Sequence, residues 1–319
     1  MTILLATHRR ATEIDRLIDE LRRREAAFLR VNMGVGEDRC VARSPFGSSK
    51  DVVFDTDQGL VGGDEIRTGW YHQPAIGIVP ETVARSRSGR EAVLTSHTNT
   101  WHGAFSLLAC DWLNSPDGVQ QGANKILQGA AASRAGFSLP RTIVGNIPSR
   151  IRAALAGTNT VAKNIATLHQ AWGERADLSF LTRAIALDDV SDEAISACPV
   201  IYQATLRPWR EHRVVIVAER AFMASIDLDA RNGHIDVRTS PTALSKFYAS
   251  QADTEVVTKL QTMLADFKLH YCSADILEDD EGRFFFLDLN TCGAWWWIDD
   301  LYTGAITGAL ADALTSELT

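Results

Sequence analysis

The sequence predicts a chain that is α/β at its start and mixed α+β at its end, in three parts. Three observations carry this. The first 32 residues read strand, helix, strand. Two clusters of turn formers, Asn114-Ser-Pro-Asp-Gly118 and Cys198-Pro199, punctuate the middle. Residues 200–319 read as hairpins with helices between them.

The opening elements follow from periodicity. Ile3 to Thr7 is a short apolar run, read as a buried strand. From Thr12 to Arg24, Ile14, Leu17, Ile18 and Leu21 share one stripe, the spacing of an amphipathic helix. Ala27 to Asn32 is a second strand, and this βαβ unit favours a parallel pair. Residues 33–89 are less regular. Gly62-Gly63 reads as a hairpin turn, since the Gly-rich lysine signature of a phosphate loop is missing. A helix from about Arg90 to Leu113 follows.

Beyond the first turn cluster a helix spans Asn124 to Ala135, ended by Gly136 and Pro140. A strand is expected at Thr142 to Val144, then a helix over Pro148 to Leu155 capped by Asn146. Strands follow at Thr160 to Asn164 and Phe180 to Leu187. Past Pro199, Val200 to Ala204, Arg213 to Ala218 and Ala221 to Leu228 read as strands, the last two joined at Glu219-Arg220. Asp253 to Phe267 is an amphipathic helix. Tyr271 to Leu277 and Arg283 to Leu289 form a hairpin around Glu278-Asp-Asp-Glu-Gly282, and one helix runs from Asp300 to the end.

Composition bounds the function classes. The 319 residues allow two or three domains, and 45% hydrophobic with 23% charged residues exclude a disordered chain. A net charge of −8 lacks the basic excess of a nucleic-acid binder. No apolar run reaches the roughly 20 residues of a membrane span, so no membrane partner is expected. The first ten residues read as a strand and not as a signal peptide. Cys40, Cys110, Cys198, Cys272 and Cys292 are odd in number and widely spaced. A disulfide framework or zinc knuckle is not expected, and a reduced cytoplasmic protein is.

The strongest chemical signal is Asp275 on one strand of the last hairpin, with Asp288 and Asn290 two residues apart on the other. Period two puts Asp288 and Asn290 on one face, so two carboxylates and an amide oxygen converge on a hard-oxygen site of the kind Mg²⁺ prefers. The plainer account is a solvated polar hairpin; the neighbouring Phe284-Phe285-Phe286 and Trp295-Trp296-Trp297 argue against it. Two lysines lie upstream. Lys125 opens a helix, and Lys163 sits in an apolar strand, where alone it reads more simply as a sheet-edge lysine. Glu211-His-Arg213 begins a strand after a linker; alone it reads as a surface ion pair, and with the linker it could serve a nucleotide. Trp295 to Trp297 read as core and pocket wall. His97, His102 and His169 have no partner at metal spacing, and Cys292 is a small packing residue.

In sum these motifs resemble a family. Asn124-Lys125 through Gly136-Phe-Ser-Leu-Pro-Arg-Thr142 resembles the opening of an ATP-grasp central domain. Tyr202-Gln203, Glu211-x-Arg213, Asp275 and Asp288-x-Asn290 follow in the family's order. Asp288-Leu-Asn-Thr-Cys-Gly-Ala-Trp-Trp-Trp-Ile-Asp299 is similar to the acid-x-Asn-Pro-x-Gly-x-x-x-Trp segment of ATP-grasp peptide maturases of the microviridin or graspetide type. Trp70-Tyr71-His72-Gln73-Pro74 resembles that family's Trp-Tyr-Arg-Arg-Pro segment.

The resemblance implies an ATP-grasp fold with an N-terminal pre-ATP-grasp α/β domain at 1–114, a central lid at 115–199 and a C-terminal metal-bearing subdomain at 200–319. It implies a ligase using ATP and Mg²⁺ on a precursor peptide, and a homodimer. Lys125 and Lys163 would bind phosphates, and Gln203, Ala204 and Leu206 adenine. Glu211 would take the ribose. Lys163 and Arg213 would be catalytic, Arg213 steadying the γ-phosphate and the acyl phosphate. Asp275, Asp288 and Asn290 would hold the metal. The leader peptide would dock near the central part and Ser225 to Ser240. The departures are Asp288 for Glu, Thr291 for Pro, His72-Gln73 for two arginines, and Gln203 where related ligases often carry Glu. The same motifs would serve a ligase of free amino acids or amines. A third reading is a non-catalytic peptide binder.

Overall fold

The computed structural model describes residues 2–77, 79–165, 182–207, 209–227 and 244–316. Strand β1 (Thr2–Thr7) leads through helix α1 (Glu13–Arg23) to β2 (Phe28–Asn32), paired parallel to β1 as expected. Helix α1 buries Ile14, Leu17, Ile18 and Leu21, the stripe read from the sequence. Then come β3 (Arg39–Ala42), β4 (Val52–Thr56), β5 (Gly59–Gly62), β6 (Ile66–Tyr71), α2 (Arg87–Ser106) and β7 (Asp111–Asn114). Strands β2-β1-β6-β7 form a parallel sheet, and β3-β4-β5 a small antiparallel one.

Two expectations fail here. The hairpin turn between β4 and β5 is at Asp57-Gln58, not Gly62-Gly63. Gly63 is needed for close approach: a Cβ there would meet the Ser49 carbonyl oxygen at 2.6 Å. The helix expected from Arg90 to Leu113 starts earlier and ends at Ser106. Residues 111–114 are drawn into the sheet as β7, because pairing with β6 outweighs local helix propensity.

The middle of the chain is α3 (Pro116–Gly122), α4 (Lys125–Arg134), β8 (Thr142–Gly145), α5 (Pro148–Leu155), β9 (Thr160–Lys163), β10 (Arg183–Ile185), α6 (Asp192–Ala197) and β11 (Val200–Ala204). The four strands form an antiparallel sheet, β10-β9-β11-β8, with Ile151, Leu155, Ile195 and Tyr202 as its core. Phe180 and Leu181, expected at the start of a strand, lie outside the described residues. Asn146 does not cap α5. Its amide donates to the Ser196 carbonyl at 3.1 Å, tying α5 to α6, and Pro148 at the first turn has no N–H to satisfy. Asn124 does cap α4, accepting from the Ile126 and Leu127 amides.

The rest is β12 (Arg210–Val217), β13 (Arg220–Asp227), β14 (Tyr248–Ser250), α7 (Thr254–Phe267), β15 (Tyr271–Glu278), β16 (Phe284–Asn290), α8 (Trp296–Leu301) and α9 (Ala305–Thr315). The sheet order is β14-β13-β12-β15-β16, all antiparallel. The β12–β13 turn is one residue earlier than expected, at Ala218-Glu219, with Ala218 left-handed at φ 49°. The last helix is broken at Thr303-Gly304, both at positive φ. Asp299 caps the second piece, accepting from the amides of Ile306 at 2.8 Å and Thr307 at 3.1 Å.

Both faces of this last sheet are covered. Val214, Ile216, Cys272, Ala274 and Leu289 pack on α7 and on Ala131 and Ala132 of α4. The other face, through Val215, Val217 and Tyr271, packs on Leu17 and Trp70 of the N-terminal part together with Trp295 and Leu310. Asn114 stitches the two together. Its side-chain amide donates to the carbonyls of Tyr271 and Thr291 at 2.9 Å, and its oxygen accepts from the amides of His270 and Tyr271 at 3.0 Å. Asn114→Ala strips all four bonds from a fully buried position. We expect it to lower the urea midpoint by an amount equal to about 3 kcal/mol, with an unchanged m-value.

Candidate active site

The site is built on the central strands of the last sheet. Arg213 of β12, Asp275 of β15 and Asp288 of β16 sit directly opposite one another in the register. Side chains opposite one another share a face, so the three form a row across the sheet. Arg213 Nε lies 2.6 Å from Asp275 Oδ1. Asn290, opposite Ser273, and Glu211, two residues before Arg213, share that face. A register shift between Asp275 and Ile276 leaves Leu287 without an opposite partner, just before Asp288.

Helix α4 closes one end of the row. Lys125 Nζ forms an ion pair with Asp288 Oδ1. One turn on, the buried Gln128 clamps β16: its amide donates to the Leu289 carbonyl at 2.7 Å, and its oxygen accepts from the Leu289 amide at 3.1 Å. Lys125 is thus fixed against the strand that carries Asp288. Sequence reading missed Gln128; its signal was its place one turn after Lys125 on the same helical face.

The plainer accounts of these residues do not fit. Asp275 and Asp288 each sit against a cation and are 20% and 27% exposed, so the hairpin is not a solvated polar surface. Glu211 is buried and Arg213 lies on an inner strand, so they are not a surface pair. Lys163 is not at a sheet edge, because β9 lies between β10 and β11. Its ammonium donates to Gln203 Oε1 at 2.7 Å, and Gln203 donates to Thr142 Oγ1 at 2.9 Å. Lys163 and Gln203 therefore form a second group, on the middle sheet. Gln203 and Ala204 are the last two residues of β11 and not part of a linker. The connection to β12 is 205–209, which includes Leu206, and it is pinned by Thr205 N to Asn159 O at 2.8 Å and Trp209 N to Glu278 O at 2.7 Å.

Among the described residues no three His, Cys, Asp or Glu side chains cluster so as to hold a metal. The donor set here is different: two carboxylates and an amide oxygen, side by side on one face. Such hard oxygens fit Mg²⁺ with waters or phosphate oxygens completing its shell, and do not fit a soft metal. Cys292, two residues past Asn290, is buried, and burial pushes its thiol up to about 11, out of nucleophilic range. Trp295 and Trp297 face the core, whereas Trp296 is exposed. His102 meets Asp117 at 3.1 Å; His169 lies outside the described residues.

No family model and no curated protein matches the sequence. Solved structures do match. The macrocyclase MdnC from Microcystis aeruginosa MRC, bound with precursor peptide MdnA, superposes with a TM-score of 0.84 at 21% identity, over 99% of each chain. A Chryseobacterium gregarium RiPP-associated ATP-grasp ligase, in complex with ADP and a leader and core peptide, gives 0.82 at 18% identity, over 98% of this chain and 96% of that one. The ATP-grasp ligase PsnB, complexed with precursor peptide PsnA2 and AMPPNP, gives 0.71 at 15% identity, over 98% of this chain and 97% of that one. The chain has the ATP-grasp fold. Within that fold the two groups found above, Lys163–Gln203 and the Arg213–Asp288 row, lie on two sheets joined directly by residues 205–209.

On the face opposite the row, His212 is buried, with Nδ1 2.7 Å from Ser225 Oγ and Nε2 3.0 Å from Glu278. Burial lowers its pKa below the ordinary 6.5, and His8 is lowered for the same reason. The unfolded imidazoles take up protons first as pH falls. Stability is therefore full above that ordinary value and lost as pH falls toward the folded values. Thermal melts between pH 7 and pH 5 should show a loss of up to about 1.4 kcal/mol per pH unit per histidine, and His212→Asn should flatten the slope.

Proposed function

We propose that the protein is an ADP-forming ligase that uses ATP and Mg²⁺ to activate a side-chain carboxylate of a precursor peptide as an acyl phosphate. A hydroxyl or amine of the same peptide then attacks, closing an ester or amide cross-link. The observation that carries this is the cation–carboxylate row Arg213, Asp275, Asp288 and Lys125 on an ATP-grasp fold. Structures of that fold bound to precursor peptides support the choice of substrate.

Charge and placement support the roles that the resemblance implies. Lys125 and Lys163 neutralise phosphate oxygens from two sides of the cleft. Gln203, Ala204 and Leu206 lie against adenine, and Glu211 accepts from the ribose hydroxyls. Asp275, Asp288 and Asn290 hold Mg²⁺, which when bound draws charge from the phosphate oxygens. Arg213, steadied by Asp275, presents its remaining N–H groups to the transferring phosphoryl and then to the acyl phosphate. Transfer of this kind is achieved by positioning and electrostatic stabilisation, which is what a fixed row of charges supplies.

We further infer three functional parts, 1–114, 115–199 and 200–319, with ATP between the last two. A homodimer and a cytoplasmic site belong to the same reading. All five cysteines are free, and no described helix is long and apolar enough to cross a membrane. Leader docking near Ser225 to Ser240 falls mostly outside the described residues.

With ATP, Mg²⁺ and a precursor peptide that carries both acidic and hydroxyl or amine side chains, the peptide should lose the mass of one water per linkage. Arg213→Met should slow ADP release by about 10²–10³-fold. Lys163→Met and Asp288→Asn should abolish it; release that persists unchanged in both would overturn these assignments.

A further inference from the structure

Four side chains form a square on the sheet face that carries the charged row. Asp275 stands opposite Asp288, and Ser273 stands opposite Asn290. Opposite residues and residues two apart share a face, so Ser273 is the fourth corner beside the three oxygen donors. It is fully buried, and its hydroxyl has no hydrogen-bond partner in the structure. A buried hydroxyl left orphaned is costly, so this one calls for a reason.

The neighbours of Ser273 narrow what its hydroxyl can serve. On β12 it faces Val215, whose side chain has nothing to bond. Along β15, Tyr271 gives its hydroxyl to the Gly293 carbonyl at 2.5 Å, and Asp275 is held by Arg213 at 2.6 Å. On β16 it faces Asn290, half-buried, whose side-chain amide has no hydrogen bond among the described residues. Two uncommitted polar groups thus stand at directly opposed positions, where Cβ atoms are about 4.5–5.5 Å apart. The loop after β16 seals them together. A Cβ on Gly293 would stand 2.5 Å from the Ser273 Cβ, 3.0 Å from the Asn290 Cβ and 3.3 Å from the Ser273 hydroxyl oxygen. Thr291 and Cys292 of the same loop are buried, and the hydroxyl oxygen is closed off from solvent. Asn290 is the polar group that a side-chain rotation brings to it.

We propose that Ser273 is a positioning residue for the metal site, acting through Asn290. An amide ligates Mg²⁺ through its oxygen. Its NH₂ end then points away from the metal, and the Ser273 oxygen accepts from it. That bond fixes which end of Asn290 faces Asp275 and Asp288, as partners behind metal ligands do in general. With Asn290 turned this way the hydroxyl is paired; otherwise it is orphaned. This role rests on the ligase reading above and adds a residue to its metal site.

ADP binding to the full chain is followed as Mg²⁺ is titrated after chelator treatment, for the unaltered protein, Ser273→Ala and Ser273→Cys. The half-saturating Mg²⁺ is expected to rise about 10-fold in both variants, the size of losing a partner behind a metal ligand. Cys keeps the side chain's shape but is a weak acceptor, so a matching rise excludes a packing cause. In an Asn290→Ala background, Ser273→Ala is expected to add nothing, because it acts through that amide. Without Mg²⁺, the melting temperature of Ser273→Ala is expected to hold, since only an orphaned hydroxyl is lost. A drop there with unchanged half-saturation marks a merely structural residue and overturns the proposal. So does a normal half-saturation in Ser273→Cys, or full additivity with Asn290→Ala. Mg²⁺-dependent ADP binding that ignores Ser273 overturns this role alone. ADP binding indifferent to Mg²⁺ in the unaltered protein overturns the metal site of the ligase reading along with it.

Discussion

One buried amide connects the parts of this molecule that have to agree. Asn114 ends the last strand of the N-terminal sheet, and its side chain makes four hydrogen bonds to the backbone around β15 and β16. A fully buried amide left unpaired would be costly, so the two sheets are held in one relative position. That position brings the Cys292 thiol, two residues past Asn290, to 3.6 Å from the Tyr71 carbonyl. It also presses Trp70 of the first sheet on Tyr271 and Trp295, with ring centroids at 5.1 Å and 5.3 Å.

The charged row has a different character. Partly buried ion pairs contribute little net stability, because desolvation offsets much of the Coulomb attraction. Arg213–Asp275 and Lys125–Asp288 are thus poor candidates for fold-holding interactions. Their value lies in preorganisation: cations and carboxylates kept at fixed separation need little rearrangement when an anionic ligand arrives. Gln128 and the β12–β15–β16 ladder hold the frame, leaving the charges free to exchange partners.

Sequence reading succeeded where the signal was local. The stripe of α1, the Asn124 cap and the terminal hairpin were legible because each depends on near neighbours. Period two placed Asp288 and Asn290 on one face correctly. It erred where distant pairing decided the outcome. Residues 111–114 became a strand only because β6 offers them a ladder, and the last helix broke where Asp299 caps a new start. Lys163 read as an edge residue because strand order is invisible in a single strand.

What the sequence determined by itself was the inventory and order of chemistry: two lysines, then Glu211 and Arg213, then Asp275, Asp288 and Asn290. Residue type fixes which groups accept, donate and carry charge. What only the tertiary structure decided was which of them meet. Antiparallel register set Arg213 opposite Asp275 and Asp275 opposite Asp288, and α4 brought Lys125 across 163 positions of chain to close the row. The same folding placed His72 and Gln73 on Glu13. The reason is that a strand's own periodicity sets only its faces, whereas its neighbours and register follow from burying both faces of the sheet at once.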